Sequence, residues 1–160
     1  MAFYQLKTLQ VLPAPPDIIW KFISTPANLK KITPQYMGFD ITSEVPETIY
    51  PGLMIGYKVK PVAGIKMNWV TEITHVSDQK YFVDEQRIGP YKIWHHEHHI
   101  EAIPNGTKMI DIVTYVPPFG ILGKLANWMF IRRQLREIFE YRRIALTVEF
   151  GEYGISYEIA

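Results

Sequence analysis

The sequence predicts an α+β domain in which a curved antiparallel sheet of about seven strands wraps around one long C-terminal helix, with two short helices after the first strand. Two observations carry this. Between residues 39 and 116 the chain falls into short runs rich in β-branched and aromatic residues, parted by Pro51-Gly52, Ala63-Gly64, Ser77-Asp78, Gly89-Pro90 and Asn105-Gly106. Connections that short join neighbouring antiparallel strands, so the middle of the chain reads as a meander. From Ile121 to Phe150 there is no proline and no glycine beyond Gly123, and Leu125, Trp128, Leu135, Phe139, Arg142 and Leu146 recur at helical spacing. Such a helix spans about 45 Å at 1.5 Å per residue, enough to cover the apolar face of the sheet.

Taken in order, residues 3–12 have strand composition, and Ala14-Pro15-Pro16 breaks the chain after them. Ile19, Trp20 and Ile23 mark one face of a short helix over Asp17 to Ser24. Thr25-Pro26 reads as an N-cap followed by proline at the first helical position, opening a second short helix that runs to Ile32 and is stopped by Thr33-Pro34. Strands follow at 39–44, 53–62, 65–76, 81–88, 91–102 and 107–116, the last two joined through Asn-Gly, the strongest short hairpin signal. Gly151 is placed to cap the long helix. The tail 152–160 alternates Ile155, Tyr157 and Ile159 and reads either as an extra strand or as a loose end. Residues 1–150 are thus expected to form a single domain and 151–160 a tail.

Composition narrows the function classes. The 160 residues carry 17 Lys+Arg against 16 Asp+Glu, a net charge of +1, which offers nucleic acid no basic footprint. Cysteine is absent, so disulfides, thiolate nucleophiles and cysteine-ligated zinc are excluded. No apolar run approaches the ~20 residues of a membrane span, and the start lacks a signal peptide's layout, so the expectation is a soluble cytoplasmic protein. Aromatics, at 14%, are the one excess; they either fill a large core or line a cavity. No phosphate loop, serine elbow or dinucleotide fingerprint occurs.

The most unusual run is Trp94-His95-His96-Glu97-His98-His99-Ile100-Glu101. Strand alternation puts Trp94, His96, His98 and Ile100 on one face and His95, Glu97, His99 and Glu101 on the other. The first set is expected inside, because unpaired glutamates are costly to bury whereas neutral imidazoles need only one partner. Neighbouring strands offer Phe82, Asp84 and Gln86, and Asp111, Val113 and Tyr115, for the same interior. Such a polar cluster has three readings: a hydrogen-bonded structural or ligand-orienting network, an acid–base pair, or a metal site built on His-x-His. No stoichiometric metal and no cofactor are expected, since the spacing alone advertises no third ligand. His98→Leu is expected to spare folding and weaken binding of a polar-headed ligand; His99→Leu is expected to do neither.

Arg132, Arg133, Arg136, Arg142 and Arg143 are interleaved with Glu137 and Glu140 and read mostly as a solvated helix face. Residues 117–131 are more apolar than a loop and helix start require, and read either as core or as a mobile pocket lip touching membranes transiently through Phe119, Ile121 and Leu122.

A family resemblance runs over residues 3–150. It is carried by Pro13, Trp20 with Phe22, Pro26-x-Asn28-Leu29, Thr33-Pro34, Gly52, Tyr57, Trp69, Gly89-Pro90-Tyr91 with Trp94-x-His96-x-His98, Gly106-Thr107, Asp111-x-Val113-x-Tyr115, Arg132-Arg133-x-Leu135 and Ile138-Phe139. On these the chain resembles the helix-grip proteins of the SRPBCC, or START-like, superfamily, which includes birch-pollen-type allergens, lipid-transfer domains and polyketide cyclases. More narrowly it resembles a poorly characterised bacterial branch, some members of which carry a cell-division-inhibitor label. The resemblance implies a deep apolar cavity between sheet and helix and a small hydrophobic or amphipathic ligand, with no one activity. The expectation is therefore a carrier or sensor with a pocket of roughly 300–1,000 Å³. Trp69, Phe82, Trp94 and Trp128 would give apolar contact, and His96, His98, Asp111 and Tyr115 would orient the ligand's polar end. The alternatives are a cyclase or hydratase using the same polar residues for proton transfer, and a regulatory module that docks a protein partner.

Overall fold

The computed structural model describes residues 3–62, 64–153 and 157–160. Its elements are β1 (Tyr4–Leu12), α1 (Pro16–Ile23), β2 (Asp40–Ile41), β3 (Met54–Val62), β4 (Ile65–Ser77), β5 (Tyr81–Ile88), β6 (Ile93–Ile103), β7 (Gly106–Val116), α2 (Gly120–Ala126), α3 (Arg132–Phe150) and β8 (Tyr157–Ile159). The strands form one antiparallel sheet in the order β2-β3-β4-β5-β6-β7-β1-β8. Sequential neighbours pair from β2 to β7, as short turns dictate, and β1 closes against β7. The sheet has eight strands rather than about seven, because Tyr157–Ile159 of the tail pairs with the outer edge of β1.

The alternation on which the histidine strand was read holds through its centre. Trp94 stands opposite Tyr115, His96 opposite Val113, and His98 opposite Asp111, with no register shift between β6 and β7. Phe82 and Asp84 face His98 and His96 from the other side. His96, His98 and Ile100 are buried, whereas Glu101 is exposed and His95, Glu97 and His99 are only half-buried.

Two local expectations fail. The segment Pro26–Ile32 is a 3-10 helix, and Thr25 does not cap it: its hydroxyl donates backward to the Lys21 carbonyl at 2.7 Å. A further 3-10 turn at Gln35–Met37 follows before β2. The long helix is interrupted by a π turn at Asn127–Ile131, with helical backbone on both sides. Its buried residues explain the interruption. Gly123, Asn127, Ile131, Leu135 and Phe139 face the protein at a constant spacing of four. Four α-helical residues overshoot a full turn by about 40°, so a strict fours seam rotates off the sheet. One wider turn restores it, and Asn127 locks that turn by accepting the Tyr115 hydroxyl at 2.8 Å.

From there α3 lies along β1, where buried Gln10 donates to the Arg143 carbonyl and to Thr147 Oγ1, both at 3.1 Å. Because the helix is drawn to β1 and to residues 26–32, it leaves a gap over β3 to β6. Gly123 sets the near end of this packing: a Cβ there would run into the Pro118 carbonyl. Gly123→Ala is expected to cost about 1–3 kcal/mol of stability, the usual cost of overpacking, read from a lowered urea midpoint, while Gly120→Ala, which meets open space, costs only backbone strain.

Candidate functional site

The gap is a cavity of about 190 Å³ walled by β3 to β6 on one side and α3 on the other. It is smaller than expected because the aromatics fill part of their own enclosure: Trp69 packs edge-on against Trp94 at 5.3 Å and against Tyr91 at 5.9 Å. Trp69 keeps its indole N–H satisfied on Thr71 Oγ1 at 3.0 Å, so the surface it offers is apolar. The lining residues that retain exposure, among them Thr25, Asn28, Leu29, Gln134 and Ile138, place the mouth between residues 25–33 and the start of α3.

At the foot of the cavity five charged or polar side chains meet. His98 is 5% exposed and lies between two carboxylates, with Nε2 bonded to Asp84 Oδ2 and Nδ1 beside Asp111 Oδ1, both at 2.8 Å, and Arg142 Nη2 3.3 Å from Nδ1. Arg142 Nη2 reaches Asp111 Oδ1 at 3.3 Å, and His96 Nε2 donates to the same oxygen at 3.2 Å. His96 Nδ1 lies 3.4 Å from Asp84 Oδ2, and the two imidazole centroids are 3.7 Å apart.

Two imidazoles in one carboxylate clamp cannot both be charged. Burial opposes charge on His98, but hydrogen bonds to Asp111 and Asp84 outweigh it and hold its pKa above the usual value. Phe82 stacks on its ring at 4.0 Å, which also favours the cation. Burial first, and then the neighbouring His98 charge, push His96 down to about 4. Burial would raise Asp111, yet Arg142 and the two histidines bring it well below its ordinary value; Asp84 is lowered by the histidines in the same way. The set therefore favours two carboxylates balanced by one guanidinium and, of the two imidazoles, by His98 rather than His96. Among the described residues one buried side-chain polar atom has no partner, Arg142 Nε, and Arg142 lines the cavity.

Of the residues expected at the site, Trp69, Phe82, Trp94, His96 and His98 line the cavity together. Asp111 stands behind the histidines and organises them without lining the cavity. Tyr115 is buried beside it, with its hydroxyl given to Asn127, so it presents no polar group there. Trp128 is a correction: the π turn directs it to the surface, where it is 82% exposed. Gln86 belongs elsewhere too, clamping the Tyr91 backbone through both ends of its amide. Residues 117–131 supply no wall of the cavity.

Arg142 is the residue sequence reasoning misplaced, since charge interleaving assigned it to the solvated face. The signal was its position: it falls on the Leu135–Phe139–Leu146 stripe that faces the sheet. Asp84, His96 and His98 are the donor set with the right types for a metal, all within 4.8 Å. Ligation there would require His98 to give up a proton that two carboxylates hold.

The same geometry changes the expected effect of His98→Leu. Removing the imidazole leaves buried Asp111 and partly buried Asp84 with one guanidinium, so the substitution is expected to cost about 3–5 kcal/mol, read from urea unfolding. His99→Leu, on the half-buried outer side, should stay within about 0.5 kcal/mol.

Stability should also peak near pH 6.5. Between pH 6.5 and about 4 the unfolded chain binds a proton that His96 refuses, so stability falls as pH drops through that window. Above 6.5 folded His98 keeps a proton the unfolded chain has lost, so stability falls as pH rises through its raised value. Urea midpoints that stay level across both windows would contradict the assignment.

Known structures share this architecture. The protein Ms6760 from Mycobacterium smegmatis superposes with a TM-score of 0.63 at 17% identity, covering 91% of this chain and 92% of its own. CV1439 from Chromobacterium violaceum gives 0.68 at 12% identity, with 96% and 100% covered. Ara h 8.0201, a Bet v 1-like protein, gives 0.56 at 14% identity, with 92% and 99% covered. At these identities the likeness is one of fold. No curated protein sequence matches the chain. No helix among the described residues is long and apolar enough to cross a membrane. Residues 12–140 match the family described as polyketide cyclase / dehydrase and lipid transport, whose fold binds hydrophobic ligands, and the chain belongs to that family, within the SRPBCC or START-like superfamily of helix-grip proteins.

Proposed function

We propose that this protein is a carrier or sensor that binds one small amphipathic molecule in the sheet–helix cavity, its apolar body against Trp69, Trp94, Phe82 and Phe139 and its polar end on Arg142. The observation that carries this is the unpartnered Arg142 Nε. A buried N–H without an acceptor costs about 1–3 kcal/mol, and the residue that carries it lines the cavity. A bound acceptor removes that cost.

The charge balance narrows the acceptor. Two carboxylates already draw on the cluster's cations, so a ligand carboxylate would add a charge that His96, held down to about 4, resists neutralising. A ketone, ester or phenol oxygen takes the N–H without adding that charge. Size sets the other limit: at about 10–15 Å³ per water-sized group, the cavity takes a molecule of roughly a dozen non-hydrogen atoms or somewhat more.

Acetylnaphthalene and isopropylnaphthalene have the same number of non-hydrogen atoms and differ in the carbonyl. Titrated into the protein by tryptophan fluorescence, the ketone is expected to bind about tenfold tighter, the worth of a hydrogen bond to a charged group. Arg142→Lys keeps the charge on Asp111 but lacks Nε, and should bring the two affinities together. Equal affinities in the unmodified protein would sink the proposal, and so would a ketone preference that survives Arg142→Lys.

A further inference from the structure

Residues 119–136 are built inside out. Toward the protein this stretch presents Gly123, Asn127, Ile131 and Leu135, including a glycine and a buried amide. Toward solvent it presents Ile121, Leu122, Leu125, Trp128 and Met129, with Ile121 84% and Trp128 82% exposed. Their spacing of three and four puts them on one outer face of the helix. Phe119, at the head of the segment, is as exposed and has left-handed backbone (φ 61°), which turns it out ahead of the helix. An apolar face of this size needs a partner.

Charge says which. Residues 117–136 contain Lys124, Arg132, Arg133 and Arg136 and no acidic residue, against a net +1 for the whole chain. Arg132, Arg133 and Arg136 continue the outer face beyond Met129, so apolar side chains give way to basic ones along a single stripe. Arg133 is held by Glu137 at 2.8 Å, while Arg132 and Arg136 have no carboxylate partner among the described residues. A second copy of this face would offer these cations no carboxylate. A bilayer interface with negative headgroups satisfies both halves: apolar residues enter the headgroup–acyl boundary, tryptophan favours that depth, and the arginines stay among the phosphates.

We propose that the outer face of residues 119–136 docks this protein reversibly onto membranes that carry anionic lipid. The apolar part of this surface lies apart from the cavity, none of whose wall comes from residues 117–131, so substitutions there test docking without touching the cavity.

The test is co-sedimentation of the full chain with vesicles of phosphatidylcholine alone and of two thirds phosphatidylcholine with one third phosphatidylglycerol. Binding is expected to the second and to weaken with salt. At about fivefold per basic residue, Arg132→Gln with Arg136→Gln should lower the partition coefficient about thirtyfold. Leu125→Asp with Met129→Asp should abolish binding while leaving far-ultraviolet circular dichroism and acetylnaphthalene affinity unchanged. Failure to bind the anionic vesicles, equal binding to both compositions, or a dimer in sedimentation velocity that Leu125→Asp dissolves would each overturn the proposal.

Discussion

Two carboxylates, the buried Asp111 and the partly buried Asp84, stand on the inner face of the sheet, and the arrangement of the interior follows from neutralising them. Left alone they would be prohibitively costly. One positive charge comes from the middle strand, where His98 spans both carboxylates, and the other from the helix, where Arg142 meets Asp111. The second contact also ties α3 to the sheet across the cavity. His96, squeezed into the same clamp, stays neutral because a third cation would exceed the charge available.

This ionic foot and the aromatic wall above it divide the cavity into two chemical halves. Trp69, Tyr91 and Trp94 brace one another and keep the upper part apolar. The lower part is polar, but nearly every donor and acceptor is used internally. Among the described residues, the buried side-chain group left without a partner is the Nε–H of Arg142. A site of this kind orients a ligand rather than gripping it by charge, and its apolar surface carries the bulk of the affinity.

Most of the architecture was legible in the residues. The tight turns announced the meander, and the long run without proline announced the helix. The faces of β6 could be read from the cost of burying Glu97 and Glu101, because β6 and β7 pair without a bulge. What could not be read depended on three-dimensional partners. The π turn is a response to the fours spacing from Gly123 to Phe139 and to the hydroxyl of Tyr115, and that extra residue is what sends Trp128 outward. Arg142 looked like surface because its neighbours in sequence are charged, although its place on the apolar stripe already opposed that reading. The wall contributed by residues 25–33 comes from a 3-10 segment whose turn geometry its composition does not specify.

Of the two buried imidazoles, His98 is the one that holds the extra proton, and His96 stays neutral beside it. Nitrogen-15 NMR of the imidazole rings across the pH range tests it directly. His98 is expected to become doubly protonated above the ordinary imidazole value as pH falls, and His96 to remain a neutral tautomer until about pH 4. A neutral His98 at pH 6.5, or a His96 that titrates before it does, would contradict the account.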